Sequence, residues 1–481
     1  MVHHHDVFIR ESGSRIKQLA EESWILGPHA QSFTNPEQLQ QLTDQVRQLY
    51  LQDYAQQWEV LLGDLNIHPL RNLQESVAVL NVLSGVDSPL IRLLVAMDRE
   101  TALERPQQQE KSDLAGKAAE KTANSLANRI PGAGRLRQLL GQSATADVKE
   151  QAAKTPNYVE ERFAALHRLV QSKALEAIAP LLTELFVYLD AIASAADQGG
   201  AALEAAKKQA GGIINKLKQE ASRQPPPLNR WLQTLAEDSA NLTLGGMRSH
   251  LNILWTAEVL PFCQQAIRDR YPLVRGSARE ATLEDFGRFF GPAGLMDNFF
   301  QKFLQTFVDT TQKPWRWRAA DGAATGIIPE ALSQFQRAAV IKETFFRAGG
   351  QTPAIRFELT PVSLDAEATQ FMLDLEGQKV TYSHGPAKPS PLQWPGPEPG
   401  RVQIAFSPAA ASGRSGLTED GPWAWFRMLD KADMNPTRDP ERFTVTFRVD
   451  NRHMRYELRA SSAFNPFRLK ELAEFNCPAR L

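Results

Sequence analysis

Three observations predict an α+β multidomain protein, with an N-terminal all-α helical region followed by a C-terminal antiparallel β-sandwich domain. The chain has 481 residues, too many for one ordinary core, which sets an expectation of about two to four domains. Apolar residues recur at three- and four-residue steps up to about residue 330, the period of a helix face. From about residue 347 they recur at every second residue, in short runs separated by glycine and proline, the pattern of half-buried strands.

The helices are read in order. Leu39, Leu42, Val46, Leu49, Tyr50, Tyr54, Trp58, Leu61, Leu62 and Leu65 form one apolar face, opened by an Asn35-Pro36 cap and first-turn proline. A second helix follows Asn72, and Ser88-Pro89 begins a third through Leu90, Leu93, Leu94 and Met97. Residues 105–154 are polar, rich in Ala and Lys and poor in large apolar side chains. Such a segment cannot offset its ordering entropy by burial, so it is expected to be a mobile insertion. Helices resume at Pro156, Pro180 is expected to begin another, and Ala201 to Ala221 is again helical in period. Pro225-Pro226-Pro227 stops that helix. Two further helices are expected, Pro227 to Leu244 and Met247 to Tyr271.

Five runs carry the strand period: Ile355/Phe357/Leu359, Phe371/Leu373/Leu375, Val402/Ile404/Phe406, Phe443/Val445/Phe447/Val449 and Met454/Tyr456/Leu458. Asp450-Asn451 reads as a hairpin turn. The proline-rich stretch 384–400 is excluded from any central strand, because proline cannot donate to a ladder. The expected domains are therefore 1–104, the insertion 105–154, 155–346 and 347–481.

Charge and motifs exclude several functions. The formal net charge is −1, from 54 Lys and Arg against 55 Asp and Glu, which argues against a nucleic-acid partner. No apolar run approaches the ~20 residues that cross a bilayer, and the start MVHHHDVFIRESGS lacks the apolar core of a signal peptide. The chain is thus expected to be soluble, either cytosolic or downstream of an anchor outside it. No phosphate loop, HExxH, zinc-spaced Cys/His cluster or nucleophile elbow occurs, so no cofactor or metal is expected. His3, His4 and His5 read as an incidental terminal run. The two cysteines, Cys263 and Cys477, are either buried free thiols or, in an oxidising compartment, a bridge from the helical core to the C-terminal tail.

Two functional classes remain. In the first, Trp315, Trp317, Trp394, Trp423 and Trp425 form a glycan platform, with Glu284-Asp285 or Glu419-Asp420 as an acid and base. Against it, Thr282 before Glu284 and Asp285 reads as an ordinary helix cap with acids in the first turn, and large aromatics more often fill cores. Arg316 and Arg318 alternate with Trp315 and Trp317 and are expected to stack on them. In the second class the protein is a non-enzymatic scaffold, docking through an exposed sheet edge or through loops.

The segment RYPLVRGSAREATLEDFGRFFGPAGLMDNFF, Arg270 to Phe300, resembles the signature of the IcmF/TssM family of type VI secretion proteins. PWRWR at Pro314, SWILG at Ser23, YLQDYAQQWEVLLGDL at Tyr50, WPGP at Trp394, GPWAWFRMLDKA at Gly421, NPF at Asn465 and FNCPARL at Phe475 resemble further family elements in the right order. The resemblance implies the periplasmic part of an inner-membrane-anchored protein, oligomeric in its complex and without the family's nucleotide-binding region. It implies two partners: a TssJ-like outer-membrane lipoprotein, bound through the C-terminal domain, and a TssL-like inner-membrane protein. On this reading the 384–400 stretch is a projecting contact surface, with His384, Lys388 and Trp394 as contact residues. The alternative is a stretch packed back on its own domain through Trp394.

Overall fold

A computed structural model describes residues 2–21, 35–103, 158–172, 174–208, 212–319, 324–439, 441–460 and 465–481. The expected insertion at 105–154 and the SWILG element lie outside these residues. The architecture is a helical region followed by antiparallel sheets, as the two sequence periods predict. The chain divides into two compact units, Met1–Ser194 with Gly211–Leu242, and Ala195–Ala210 with Thr243–Leu481.

The first unit is helical. Asn35 caps Pro36–Asp64, its side chain accepting from Glu37 N at 3.0 Å, and Asn72 caps Leu73–Ser84 by accepting from Glu75 N at 2.8 Å. Each side chain satisfies an amide that the first helical turn leaves without a partner. Pro89 opens Pro89–Thr101 at a position whose missing N–H costs nothing. Pro180 does not begin a helix; it sits inside Ala174–Ala193, whose apolar face buries Leu182, Leu185 and Leu189 completely. The packing of that face outweighs the lost backbone bond. His167 Nδ1 lies 2.7 Å from Asp98 Oδ1 in the interior of this unit. Among the described residues no single helix is long and apolar enough to cross a membrane.

The second unit begins with Gln198–Lys207 and the far end of Leu228–Leu254. The helix break expected between Leu244 and Met247 does not occur. Gly245-Gly246 continues the helix, and a Cβ at Gly246 would lie 3.2 Å from Ala202 Cβ, so glycine there permits close helix approach rather than a turn. The helix runs on through π-helical turns at Trp255–Val259 and Cys263–Ile267. Thr282 caps Leu283–Phe290. A two-residue hairpin pairs β1 (Val308–Asp309) with β2 (Arg316–Trp317), and Pro329–Phe345 leads into the sheets.

Among the described residues the sandwich has nine strands. They are β3 (Ile355–Leu364), β4 (Gln370–Leu375), β5 (Gln378–Tyr382), β6 (Ser390–Trp394), β7 (Arg401–Ser407), β8 (Gly416–Asp420), β9 (Asp433–Pro436), β10 (Arg442–Val449) and β11 (Arg452–Ala460). One sheet has the order β6-β3-β11-β10-β9 and the other β5-β4-β7-β8, with every neighbour antiparallel. Asp450 takes a positive φ of 52° in the β10–β11 turn. Short helices cover Ala424–Asp430 and Lys470–Glu474. The helices from Met247 onward and both sheets share one continuous core, from Trp255 and Phe286 through Phe345 and Trp423 to Phe371, Phe447 and Leu481.

Candidate functional site

The Arg270-to-Ala281 loop of the distinctive segment is held from above by the helix Ala424–Asp430. Tyr271 is buried and donates its hydroxyl to Asp430 Oδ2 at 2.8 Å. Burial, then the Asp430 carboxylate, push its phenol well above the ordinary tyrosine range. Arg275 pairs with the same Asp430 and donates to Phe467 O at 3.0 Å. The Arg427 guanidinium lies 4.1 Å from the centre of the Tyr271 ring, pairs with Glu280 and donates to Ser277 O at 2.9 Å. Arg270 donates to Glu280 O at 3.0 Å. The Trp423 indole donates to Ala281 O at 2.7 Å.

Gly421 opens this helix at a φ of +109°, and a Cβ there would lie 2.5 Å from a Glu280 carboxylate oxygen. The backbone conformation is what favours glycine, while a side chain there would displace the Glu280 carboxylate from its place beside Arg427. Two sequence motifs far apart in the chain therefore form a single clasp, built from charge-assisted bonds and a ring–cation contact.

A second tie comes from the C-terminal residues. Phe475 meets the Phe290 ring at 4.9 Å, Asn476 N donates to Gln334 Oε1 at 2.9 Å, and the Trp255 indole donates to Pro478 O at 2.8 Å. Leu481 N donates to Asn252 Oδ1 at 2.8 Å. A disulfide joins Cys477 to Cys263, with Cα atoms 6.1 Å apart.

The tryptophans do not form a platform. Trp394, Trp423 and Trp425 are fully buried; Trp394 packs against Trp423 and Phe426 at ring distances of 4.9 and 4.8 Å. Trp315 and Trp317 are half-buried against the core. Among the described residues the cation–ring contacts fall on Phe262, Phe303 and Tyr271, so the expected stacking of Arg316 and Arg318 on the indoles does not occur. Glu284 is an exposed first-turn acid beside Asp285, whose amide Thr282 caps. Glu419 pairs with Lys431 and Asp420 with Arg401. Among the described residues these five tryptophans are buried or half-buried, so neither carboxylate pair has an exposed indole among them to face. Among the described residues no group of three His, Cys, Asp or Glu could hold a metal.

The three candidate contact residues separate. His384 and Lys388 are exposed, and the His384 ring Nε2 lies 2.7 Å from Ala368 O. Trp394 is interior and presents no surface. The 384–400 stretch thus has two halves: 384–389 is exposed, whereas 390–400 holds the edge strand β6, with Pro391 on its open side, and the residues that follow it. Sequence reasoning missed the two residues that hold the second half, Glu376 and Gln378. Glu376 is 1% exposed and accepts from Gly396 N at 2.5 Å and Gly400 N at 3.3 Å. Burial raises its pKa, against the pull of those two amides. The one sequence signal was Glu376-Gly377 as a turn.

Comparison with known proteins places family models on two separate parts of the chain. The model described as the type VI secretion protein IcmF C2-like domain matches residues 357–462. The IcmF-related model, described as intracellular multiplication and human macrophage-killing, matches residues 4–102. The type VI secretion system component TssM1 of Pseudomonas aeruginosa is 38% identical over 484 residues, covering 99% of this chain. The chain belongs to the IcmF/TssM family. It spans 43% of the length of TssM1. Two solved structures share the fold of this family member. One is a chain of a type VI secretion system membrane core complex, with a TM-score of 0.60 at 16% identity over 97% of this chain and 87% of that chain. The other is a chain of a type VI membrane complex, with a TM-score of 0.60 at 18% identity over 96% and 89%.

Proposed function

We propose that this chain is a non-enzymatic scaffold region of a type VI secretion membrane complex, working in the periplasm. Its C-terminal sandwich binds a TssJ-like outer-membrane lipoprotein, and the protein links that lipoprotein to the inner membrane, where a TssL-like protein is its partner. The observation that carries this reading is the match to TssM1 along 99% of the chain. The inward use of the aromatic and arginine side chains supports it. Their chemistry is spent on holding loop 270–281, helix 424–430 and the C-terminal residues together, as a load-carrying connector requires. An oxidising compartment suits the Cys263–Cys477 bond.

Within the sandwich, the exposed residues 384–389 are the contact we favour, with His384 and Lys388 reaching the partner. The experiment uses the whole chain, because the sandwich shares its core with the helices before it and a cut at residue 347 would bare Phe286 and Phe345. Replacing residues 384–389 by a Gly/Ser segment of equal length should weaken binding of the lipid-free lipoprotein by at least ~10-fold, the equivalent of about 1.4 kcal/mol. Unchanged affinity would remove this span from the interface.

A further inference from the structure

We propose that the β4–β5 turn is a cap that closes the β6 edge of the five-stranded sheet against strand pairing with a second copy of this chain. An edge strand presents a row of unpaired N–H and C=O groups, a template for another chain. β6 has one neighbour, β3, in the register Arg356↔Gln393, Phe357↔Leu392, Glu358↔Pro391. In an antiparallel pair alternate residues turn their backbone groups away from the neighbour. Gln393 is one that turns away, because its N–H and C=O bond elsewhere. Its N–H donates to Gln378 Oε1 at 3.0 Å, and its carbonyl accepts from Gln378 Nε2 at 2.7 Å. A primary amide can donate and accept at once, as a peptide does, and the second hydrogen of its NH2 goes here to Leu375 O at 3.3 Å. The Gln378 side chain therefore makes the two bonds that an incoming strand would make.

The other outward N–H groups of the edge are closed too. Pro391, two residues back on the same side, has no N–H, and neither has Pro389 just before the strand. Beyond the strand, Gly396 N and Gly400 N donate to the Glu376 carboxylate, and Glu398 N donates to Glu376 O at 3.0 Å. The hairpin that carries both capping side chains, Glu376 in its turn and Gln378 at the start of β5, is shaped for the task. Glu376 and Gly377 have φ of +52° and +87°, and a Cβ at Gly396 would lie 2.7 Å from Glu376 Cβ. Every outward N–H from residue 389 to 396 is thus either absent or occupied. Copies of this chain brought together in a complex must meet elsewhere, and a partner reaching this side of the sandwich meets side chains rather than a free strand.

The test measures mass by light scattering over a concentration series of the whole chain: wild type, Q378A/P391V, and Q378A/P391V/Q393P. The double variant opens two outward amides, and Q393P closes one of them again by removing its N–H. The expected result is concentration-dependent doubling of mass in the double variant relative to wild type, reversed in the triple. The proposal is overturned if the double variant keeps the wild-type mass throughout, or if the triple associates as the double does. Should the double variant not fold, Q378A and Q378A/Q393P are read in the same way. Faster amide exchange at Gln393 in Q378A, with the β3 amides unchanged, shows that the cap alone has been lifted.

Discussion

The clasp around residues 270–281 and the exposed span 384–389 share one compact unit and use their residues in opposite ways. The clasp collects arginines, a tyrosine and a tryptophan, the side chains most enriched at binding interfaces, and turns them inward on one another. Tyr271 and Trp423 have no surface to offer. The exposed span has a histidine, a lysine and prolines, and makes few contacts within its own domain. Residues of interface-like composition are therefore buried here rather than presented at the surface. The most distinctive sequence marks the internal joints, and the plainest marks the accessible surface.

The contrast breaks first at its largest element. Trp423→Ala removes a buried indole together with its bond to Ala281 O, and should cost ~3–5 kcal/mol in chemical denaturation. A loss under ~1 kcal/mol would mean that the joint is not a core element. Next comes the C-terminal tie. Reducing Cys263–Cys477, or Cys477→Ser, should cost ~2–4 kcal/mol, read as a lower melting temperature in reductant that the serine variant no longer shows. Tyr271→Phe is smaller. It deletes one hydrogen bond to the Asp430 carboxylate, and ~1–3 kcal/mol is expected.

Glu376 adds a pH dependence to the stability of the sandwich. Its pKa is raised by burial above the ordinary carboxyl value of 4.5, so the folded chain holds this proton more tightly than the unfolded chain. Its contribution to stability is greatest below that ordinary value, falls as pH climbs through the raised one and is level above. Glu376→Gln should remove that slope from melting curves taken across the mildly acidic range, with the two variants running parallel near neutrality. Last, the pair His384→Ala and Lys388→Ala should change stability by less than ~0.5 kcal/mol, in contrast to every clasp substitution.

Legibility in the sequence followed burial. The five period-two runs correspond to β3, β4, β7, β10 and β11, the strands with a neighbour on each side, while β5, β6, β8 and β9, the four edges, went unread. An edge strand buries too little for alternation to appear: β8 has no buried residue, β9 is Asp-Met-Asn-Pro, and β6 carries a proline. Helix caps at Asn35, Asn72 and Thr282 were legible because each acts over three residues or fewer. Pro180 and Gly245-Gly246 misled for the opposite reason, since packing partners far along the chain overrode a local propensity. The clasp was visible only as two separate motifs, 270–281 and 421–430, since nothing in either one specifies the other across ~150 residues.

Under this proposal the clasp supports the scaffold while the exposed part of the sandwich engages the partner. The most direct test is the affinity of the whole chain for the lipid-free TssJ-like lipoprotein, measured below the melting temperature of each variant, for wild type, Tyr271→Phe and the His384→Ala/Lys388→Ala double variant. The expected result is binding by wild type, equal binding by the destabilised Tyr271→Phe, and weaker binding by the stable double variant. Absence of binding by wild type, or loss in Tyr271→Phe with the double variant unaffected, would contradict it.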